Sequence, residues 1–275
     1  MRTALKLGAA VFVAATLVVS AANAMVAAPD RYKEKGKIVF CTELAFAPWE
    51  YINPETLQPE GFDIDIAAAL TKQMGLAAEH NNIAFDGLIP ALQAGQCDAI
   101  ISGLYDKPER RKVVDFVNYV FSGNSLIVRG DSSLSFENLE GLSGHKVSVA
   151  SGSTLEENLV KANEALKAAG KTPIDIVTLQ SGTDAFQQLT AGLAEVYYGS
   201  TDQAGYFNTQ KPGLVKLASP QIGALPNGIA TLHKDKDLHE AINAAFDAIK
   251  ASGEYEAILK KWSFDAMHIK NAPAQ

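Results

Sequence analysis

The chain is short of positive charge. Its 24 lysines and arginines face 31 aspartates and glutamates. Without Arg2 and Lys6, which fall in a leader, the formal charge is about −9. That balance disfavours nucleic acid and anionic lipid as partners. Cysteine is scarcer still, with only Cys41 and Cys97. An exported pair suggests a disulfide. Yet if the strands beginning at Lys37 and Asp98 are parallel neighbours, Cys41 lies near the carboxyl edge and Cys97 near the opposite one. At about 3.3 Å per residue that is beyond disulfide reach, so two buried thiols are expected. Metal patterns are missing as well, since none of the five histidines pairs with a cysteine or carboxylate at ligand spacing. No metal and no cofactor is expected. No nucleophile or acid–base pair is spaced for catalysis, with Glu43 the only obvious cleft acid. No membrane-spanning run follows Trp262, which argues against a receptor's sensing domain.

What is present begins with a leader. Arg2 and Lys6 precede a mostly apolar core from Leu7 to Val19, and Ala22-Asn23-Ala24 forms a small-residue cleavage site. The core is too short to cross a bilayer, and no cysteine follows it closely enough for lipidation. Residues 1–24 are therefore expected to be a signal peptide cleaved after Ala24, with an exported, periplasmic product. The remaining roughly 250 residues suffice for two modest cores or one large one.

The mature chain alternates strands and helices with short loops, the pattern of an α/β protein with a mostly parallel sheet. Lys37–Thr42 reads as a buried strand, followed by an aromatic loop with Phe46, Trp49 and Tyr51. Phe62, Ile66 and Leu70 form one stripe of a helix stopped near Gly75. The stretch from Phe85 to Phe116 reads as a helix that Asp86 can cap, a strand ending at Ser102-Gly103, and a polar turn carrying Arg110. Ligands in open α/β sheets sit at the carboxyl ends of strands. Arg110 is thus a candidate anion anchor, although from spacing alone a solvated charged turn is the stronger reading. After Asp115-Phe116 the pattern relaxes, then tightens into a strand at Ser125–Arg129, where Gly130 to Ser133 suggests a passage between domains.

An internal echo organises the rest. Leu92-Gln93-Ala94-Gly95-Gln96-Cys97-Asp98-Ala99 and Leu189-Thr190-Ala191-Gly192-Leu193-Ala194-Glu195-Val196 share spacing, and each leads into a strand ending in glycine and serine. The chain therefore holds two similarly built lobes whose strand ends face one cleft, with Gly103 corresponding to Ser200. Phe46 and Phe85 could flank an apolar or planar ligand part; either alone also suits ordinary core filling. Arg110 can hold a carboxylate bidentately, opposed by backbone N–H groups at Ser153-Thr154 at a helix start. Ser153 is equally suited to a plain N-cap. Glu43, Tyr105, Ser200 and Asp202 share this edge without a fixed role, and Asp202 reads equally as a helix cap.

From about Lys37 to Trp262 the chain resembles the extracellular solute-binding proteins, family 3. The matching stretches are Gly61-Phe62-Asp63-Ile64-Asp65, Phe85 to Leu92, Pro108 to Phe116, Ser151-Gly152-Ser153-Thr154 and Gly228-Ile229-Ala230. The resemblance implies a two-lobed periplasmic binding protein-like (type II) fold. Lobe 1 would span 25–124 plus 229–275 and lobe 2 125–228, joined by a two-strand hinge. It implies the binding component of an ABC importer for an amino acid or related carboxylate, a membrane permease as partner, and a monomer. Phe46 and Phe85 then flank the ligand side chain, Arg110 clamps its α-carboxylate with help from the Thr154 N–H, and the Gly103 carbonyl receives the α-ammonium. Two departures stand out. Tyr105 replaces a small hydroxyl residue, and Ser200 replaces the aspartate that usually holds the ammonium. Asp202 or Glu43 would have to supply the charge, or the ligand lacks a standard ammonium. A dehydratase-like enzyme on the same scaffold, or a ligand sensor, is the alternative.

Overall fold

The computed structural model describes residues 26–271; the leader and its cleavage site lie outside them. Helix α1 (Asp30–Lys35) leads into β1 (Lys37–Thr42), the short β2 (Ala45–Phe46), β3 (Glu50–Ile52) and β4 (Pro59–Glu60), then α2 (Phe62–Gln73) and β5 (Ala77–Asn82). Phe62, Ile66 and Leu70 are fully buried on α2, as the stripe requires. A 3₁₀ turn at Phe85–Gly87 precedes α3 (Leu88–Gln93), which makes no side-chain cap bond, so Asp86 is not the cap that the sequence suggested. The two-residue β6 (Ala99–Ile100) follows.

Next comes β7 (Val114–Arg129), a single strand of 16 residues, where the sequence suggested a strand only over Ser125–Arg129. Asn118, Ser122 and Asn124 interrupt the apolar pattern but stay in the ladder. The second half holds β8 (Lys146–Ala150), α4 (Thr154–Ala168), β9 (Asp175–Leu179), α5 (Gly182–Thr190), β10 (Val196–Ser200), α6 (Thr201–Gln210) and β11 (Val215–Leu217). The long β12 (Ile222–Leu232) returns to the first half, which α7 (Lys236–Ser252) and α8 (Glu254–Lys261) complete.

The main sheet runs β5-β1-β6-β12-β7-β10-β8-β9, with β11 added to β7. This order repeats about its centre. In one half β1 pairs in parallel with β5 and β6, and β6 runs antiparallel to β12. In the other, β8 pairs in parallel with β9 and β10, and β10 runs antiparallel to β7. The echoed segments are α3–β6 and α5–β10, and Leu92 and Leu189 are both buried beneath them. Each half packs helices on both faces. The first is cored by α2, α7 and α8 on one side and by α3 on the other; the second is cored by α4 on one side and by α5 and α6 on the other.

Cys41 and Cys97 form a disulfide, with Cα atoms 5.5 Å apart, which overturns the expectation of two thiols. Placing Cys97 in the plane of the sheet caused the error. β6 begins only at Ala99, so the preceding Gly95–Asp98 turn is free to cross the face of β1 under α3. There the Gln96 carbonyl accepts from Asn81, the residue opposite Cys41. Both sulfurs join the Leu88, Leu92 and Ile100 cluster. Among the described residues no group of three or more His, Cys, Asp or Glu could hold a metal ion, and no helix is long and apolar enough to cross a membrane.

Candidate functional site

The carboxyl ends of β1 and β6 and the amino ends of α4 and α6 converge on a cavity between the two halves. Glu43, Phe46, Trp49, Phe85, Gly103 and Tyr105 line it from the first half. Ser153, Thr154, Leu155 and the Tyr197–Ser200 strand end line it from the second, and Ser122, Asn124 and Asn227 come from the two long strands between. The structure thus brings together eight of the ten residues singled out in the sequence. Arg110 and Asp202 stand outside the wall.

Glu43 is held where β1 ends. Its N–H donates to Ser102 Oγ (3.0 Å), which donates to Glu50 Oε1 (2.7 Å). The residue is 4 % exposed, and among the described residues Oε1 has no hydrogen-bond partner. Burial, with the nearby charges of Asp184 and Asp86 adding to it against a backbone N–H from Gly182, pushes its pKa up to about 8. Thr154 Oγ1 and Tyr198 Oη are likewise buried and unpartnered. Buried polar groups are normally satisfied, so this cluster of open positions in one cavity wall marks a surface shaped for another molecule.

Other polar groups are already engaged. Tyr105 Oη donates to Asn124 Oδ1 (3.1 Å) and accepts from Ser122 Oγ (3.3 Å), and burial raises its pKa to about 12. The bulk of the Tyr105 ring is thereby tied to β7. Asn227 Nδ2 donates to the Gly103 carbonyl (2.7 Å). Ser153 caps α4, accepting from Glu156 N and donating to the Ala150 carbonyl (2.7 Å).

Arg110 lies beside the cavity, its Nη1 donating to the Tyr105 carbonyl (2.9 Å) and its guanidinium 5.6 Å from the Phe85 ring centre. No carboxylate lies within ion-pair distance of it among the described residues, whereas neighbouring Lys107 pairs with Glu157 across the cleft (2.5 Å). Burial lowers its pKa, with Glu157 opposing the shift. Asp202 Oδ1 accepts from Ser200 Oγ and Oδ2 from Trp49 Nε1 (3.1 Å). Though partly exposed as a residue, its carboxylate is crowded by protein, and this desolvation raises its pKa to about 6.

Sequence reasoning missed Trp49, Ser122, Asn124, Tyr198 and Asn227. Three of these are polar residues on strands, and polar side chains in a central ladder were the available signal. Trp49 was noted only as part of an aromatic loop.

The cleft is closed. Gln203 Nε2 donates to the Ala47 carbonyl (3.0 Å) and Thr183 Oγ1 to the Ala45 carbonyl (2.6 Å). Gly152, at φ +68°, packs so closely that an added Cβ would lie 2.7 Å from Asp86 Cβ. Gly152→Ala is therefore expected to raise Kd about tenfold or more, from a clash of about 1–3 kcal/mol present only on closure. Calorimetry on any bound solute checks this, and unchanged affinity would show that the contact is not needed for closure.

A sheet of two matching halves around an interlobe cavity defines a class, the cleft-closing solute receptors. Residues 38–266 match the bacterial extracellular solute-binding proteins, family 3, and the chain belongs to that family. It is 31% identical over 231 residues to the ABC transporter arginine-binding protein 1 of Escherichia coli, covering 82% of this chain and 90% of that one. It is 32% identical over 257 residues to the glutamine-binding protein GlnH of Bacillus subtilis, covering 88% and 85%. The structure of an ancestral arginine-binding protein bound to arginine superposes with a TM-score of 0.74 at 33% identity, covering 82% of this chain and 98% of that one. The chain is thus the substrate-binding component of an ABC importer, not an enzyme, and the dehydratase alternative is set aside.

Proposed function

We propose that this protein captures an amino acid with a cationic side chain, L-arginine foremost, in the periplasm and presents it to the membrane permease of an ABC importer. The observation that carries this reading is Glu43, which lines the cavity, has one carboxylate oxygen without a partner among the described residues, and sits where Asp184 and Asp86 add negative potential. A guanidinium there would receive a counter-charge, with Phe46 and Phe85 in the surrounding wall. Relatives named for arginine, and a histidine-binding periplasmic relative from Escherichia coli, support the class and the compartment.

At the other end, Arg110 is a desolvated cation with no carboxylate partner, beside Tyr105 and Phe85 of the wall. It is assigned the ligand's carboxylate, opposed by the first N–H groups of α4 at Thr154. Closure would come from bending within β7 and β12, the two strands that run between the halves.

Calorimetry with L-arginine, L-glutamine and L-histidine tests the ligand. Arginine should bind tightest, and neutral glutamine binding equally well would remove the case for a cationic side chain. Arg110→Ala should weaken binding at least about 100-fold, the 2–5 kcal/mol loss expected when one partner of a buried charge pair is removed. Unchanged affinity would move the carboxylate elsewhere.

A further inference from the structure

Two carboxyl groups lie buried behind the first-half wall, Glu50 at the start of β3 and Asp63 in the first turn of α2. Neither lines the cavity. They are in hydrogen-bonding contact with each other, and they hold consecutive residues at the end of β6. Ser102 Oγ donates to Glu50 Oε1 (2.7 Å), and the Gly103 N–H donates to Asp63 Oδ2 (2.8 Å). Ser102 Oγ in turn accepts the Glu43 N–H (3.0 Å). Tyr119, from β7, donates to Asp63 Oδ1 (2.7 Å). Glu50, Asp63, Ser102 and Tyr119 are all fully buried, so bulk water does not reach the pair.

The donors are divided unequally. Asp63 receives one on each oxygen, and the backbone N–H among them can only donate. The start of α2 also favours a negative charge there. Glu50 receives a donor on Oε1 alone, and among the described residues nothing donates to Oε2. Two touching carboxyl groups in a water-free site cannot both be ionised. Burial raises both, Glu50 well above the usual carboxylate range with the Asp63 charge adding to it, and Asp63 only to about 6, because Tyr119, Gly103 and Glu50 donate to it.

We propose that Glu50 is held as the neutral acid, its Oε2 proton donated to the Asp63 carboxylate, and that this one proton makes the two residues a positioning pair for the first-half wall of the cavity. The pair then carries a single negative charge and leaves no buried oxygen unsatisfied. Through Ser102 and Gly103 it fixes the end of β6, and through Ser102 the backbone of Glu43, so two wall residues are in place before a solute arrives. Were both carboxyls ionised, their repulsion would act on β3 directly after Trp49, a third wall residue. The role is independent of which solute the cleft takes.

Glu50→Gln keeps the shape and puts an amide N–H where the acid proton stands, whereas Glu50→Leu fills the space without a donor. Infrared spectroscopy at about pH 9, above the Glu43 value of about 8, reads the proton. Wild type should show the carbonyl stretch of a buried protonated carboxylic acid, and Glu50→Gln should lose it. A band that persists in Glu50→Gln, or is absent from wild type, overturns the proposal. Amide hydrogen exchange of the unliganded protein reads the positioning: the Glu43 and Gly103 amides should be as protected in Glu50→Gln as in wild type, and should exchange about tenfold faster or more in Glu50→Leu, with the amides of β9 unchanged. Calorimetry with whichever of L-arginine, L-glutamine and L-histidine binds wild type tightest should follow the same order, Kd staying within about threefold in Glu50→Gln and rising about tenfold or more in Glu50→Leu. A residue that only fills space would make the two variants alike, and that result overturns the positioning role. If Glu50→Leu does not fold, Glu50→Gln decides alone, since lost protection at Glu43 and Gly103 in a variant that still has a donor is equally fatal to the proposal. Infrared and exchange need no ligand, so they decide the proposal even if none of the three amino acids binds, a result that would overturn only the amino-acid reading.

Discussion

Replacing Cys41 and Cys97 together by alanine is expected to lower stability by roughly 4 kcal/mol. The bridge spans 56 residues, and the chain entropy removed from the unfolded state by closing a loop of that size corresponds to about that figure. Both side chains are buried in the cluster under α3, so their loss also leaves a small packing defect. For a chain of this size the midpoint of thermal unfolding should fall by about 10 °C. The enclosed segment carries Glu43, Phe46, Trp49 and Phe85, so the bridge fixes most of the first-half wall of the cavity. Urea unfolding of oxidised, reduced and doubly substituted protein checks the prediction. Equal midpoints for all three would show that the loop remains restrained when the chain unfolds.

The error over this bridge shows where the sequence is legible. Periodicity located α2, and its buried Phe62, Ile66 and Leu70 follow from it directly. The echo around Leu92 and Leu189 anticipated a sheet with two matching halves, because helix–glycine–strand junctions are set locally. Gly95 and Gly192 indeed both take positive φ, +74° and +73°. The path of a turn over a sheet face is not local, and so Cys97 was misplaced. Nor was the continuity of β7, whose polar stretch is stabilised by pairing with β12 and by the cavity-side bonds of Ser122 and Asn124. Ser200 and Tyr105 could be picked out as departures from the family pattern. The bond from Tyr105 to Asn124 could not, nor could the one from Trp49 to Asp202 across 153 positions of chain.

Glu43→Gln is expected to weaken arginine binding by about 100-fold or more at pH 8 and above, and by progressively less as the pH falls. In the closed cleft burial, with the charges of Asp184 and Asp86 adding to it, pushes the Glu43 pKa up to about 8. At pH 6 to 7 it is therefore mostly neutral. A guanidinium placed against it favours the carboxylate, so binding expels a proton, and affinity should rise by up to about tenfold per pH unit until it levels near pH 8. Glutamine at this position has the same shape but no proton to lose, and its affinity should change much less with pH. The same shift acts on stability with the opposite sign. The folded-state value lies above the usual 4.5, so Glu43 contributes stability that is fully present below about pH 4.5 and is lost as the pH rises through 8. Arginine should offset this loss at alkaline pH, and Glu43→Gln should flatten the unliganded stability profile over that range. Calorimetry in buffers of different ionisation enthalpy reads the proton directly. A wild-type protein that releases no proton on binding arginine at pH 7 would place the guanidinium away from Glu43.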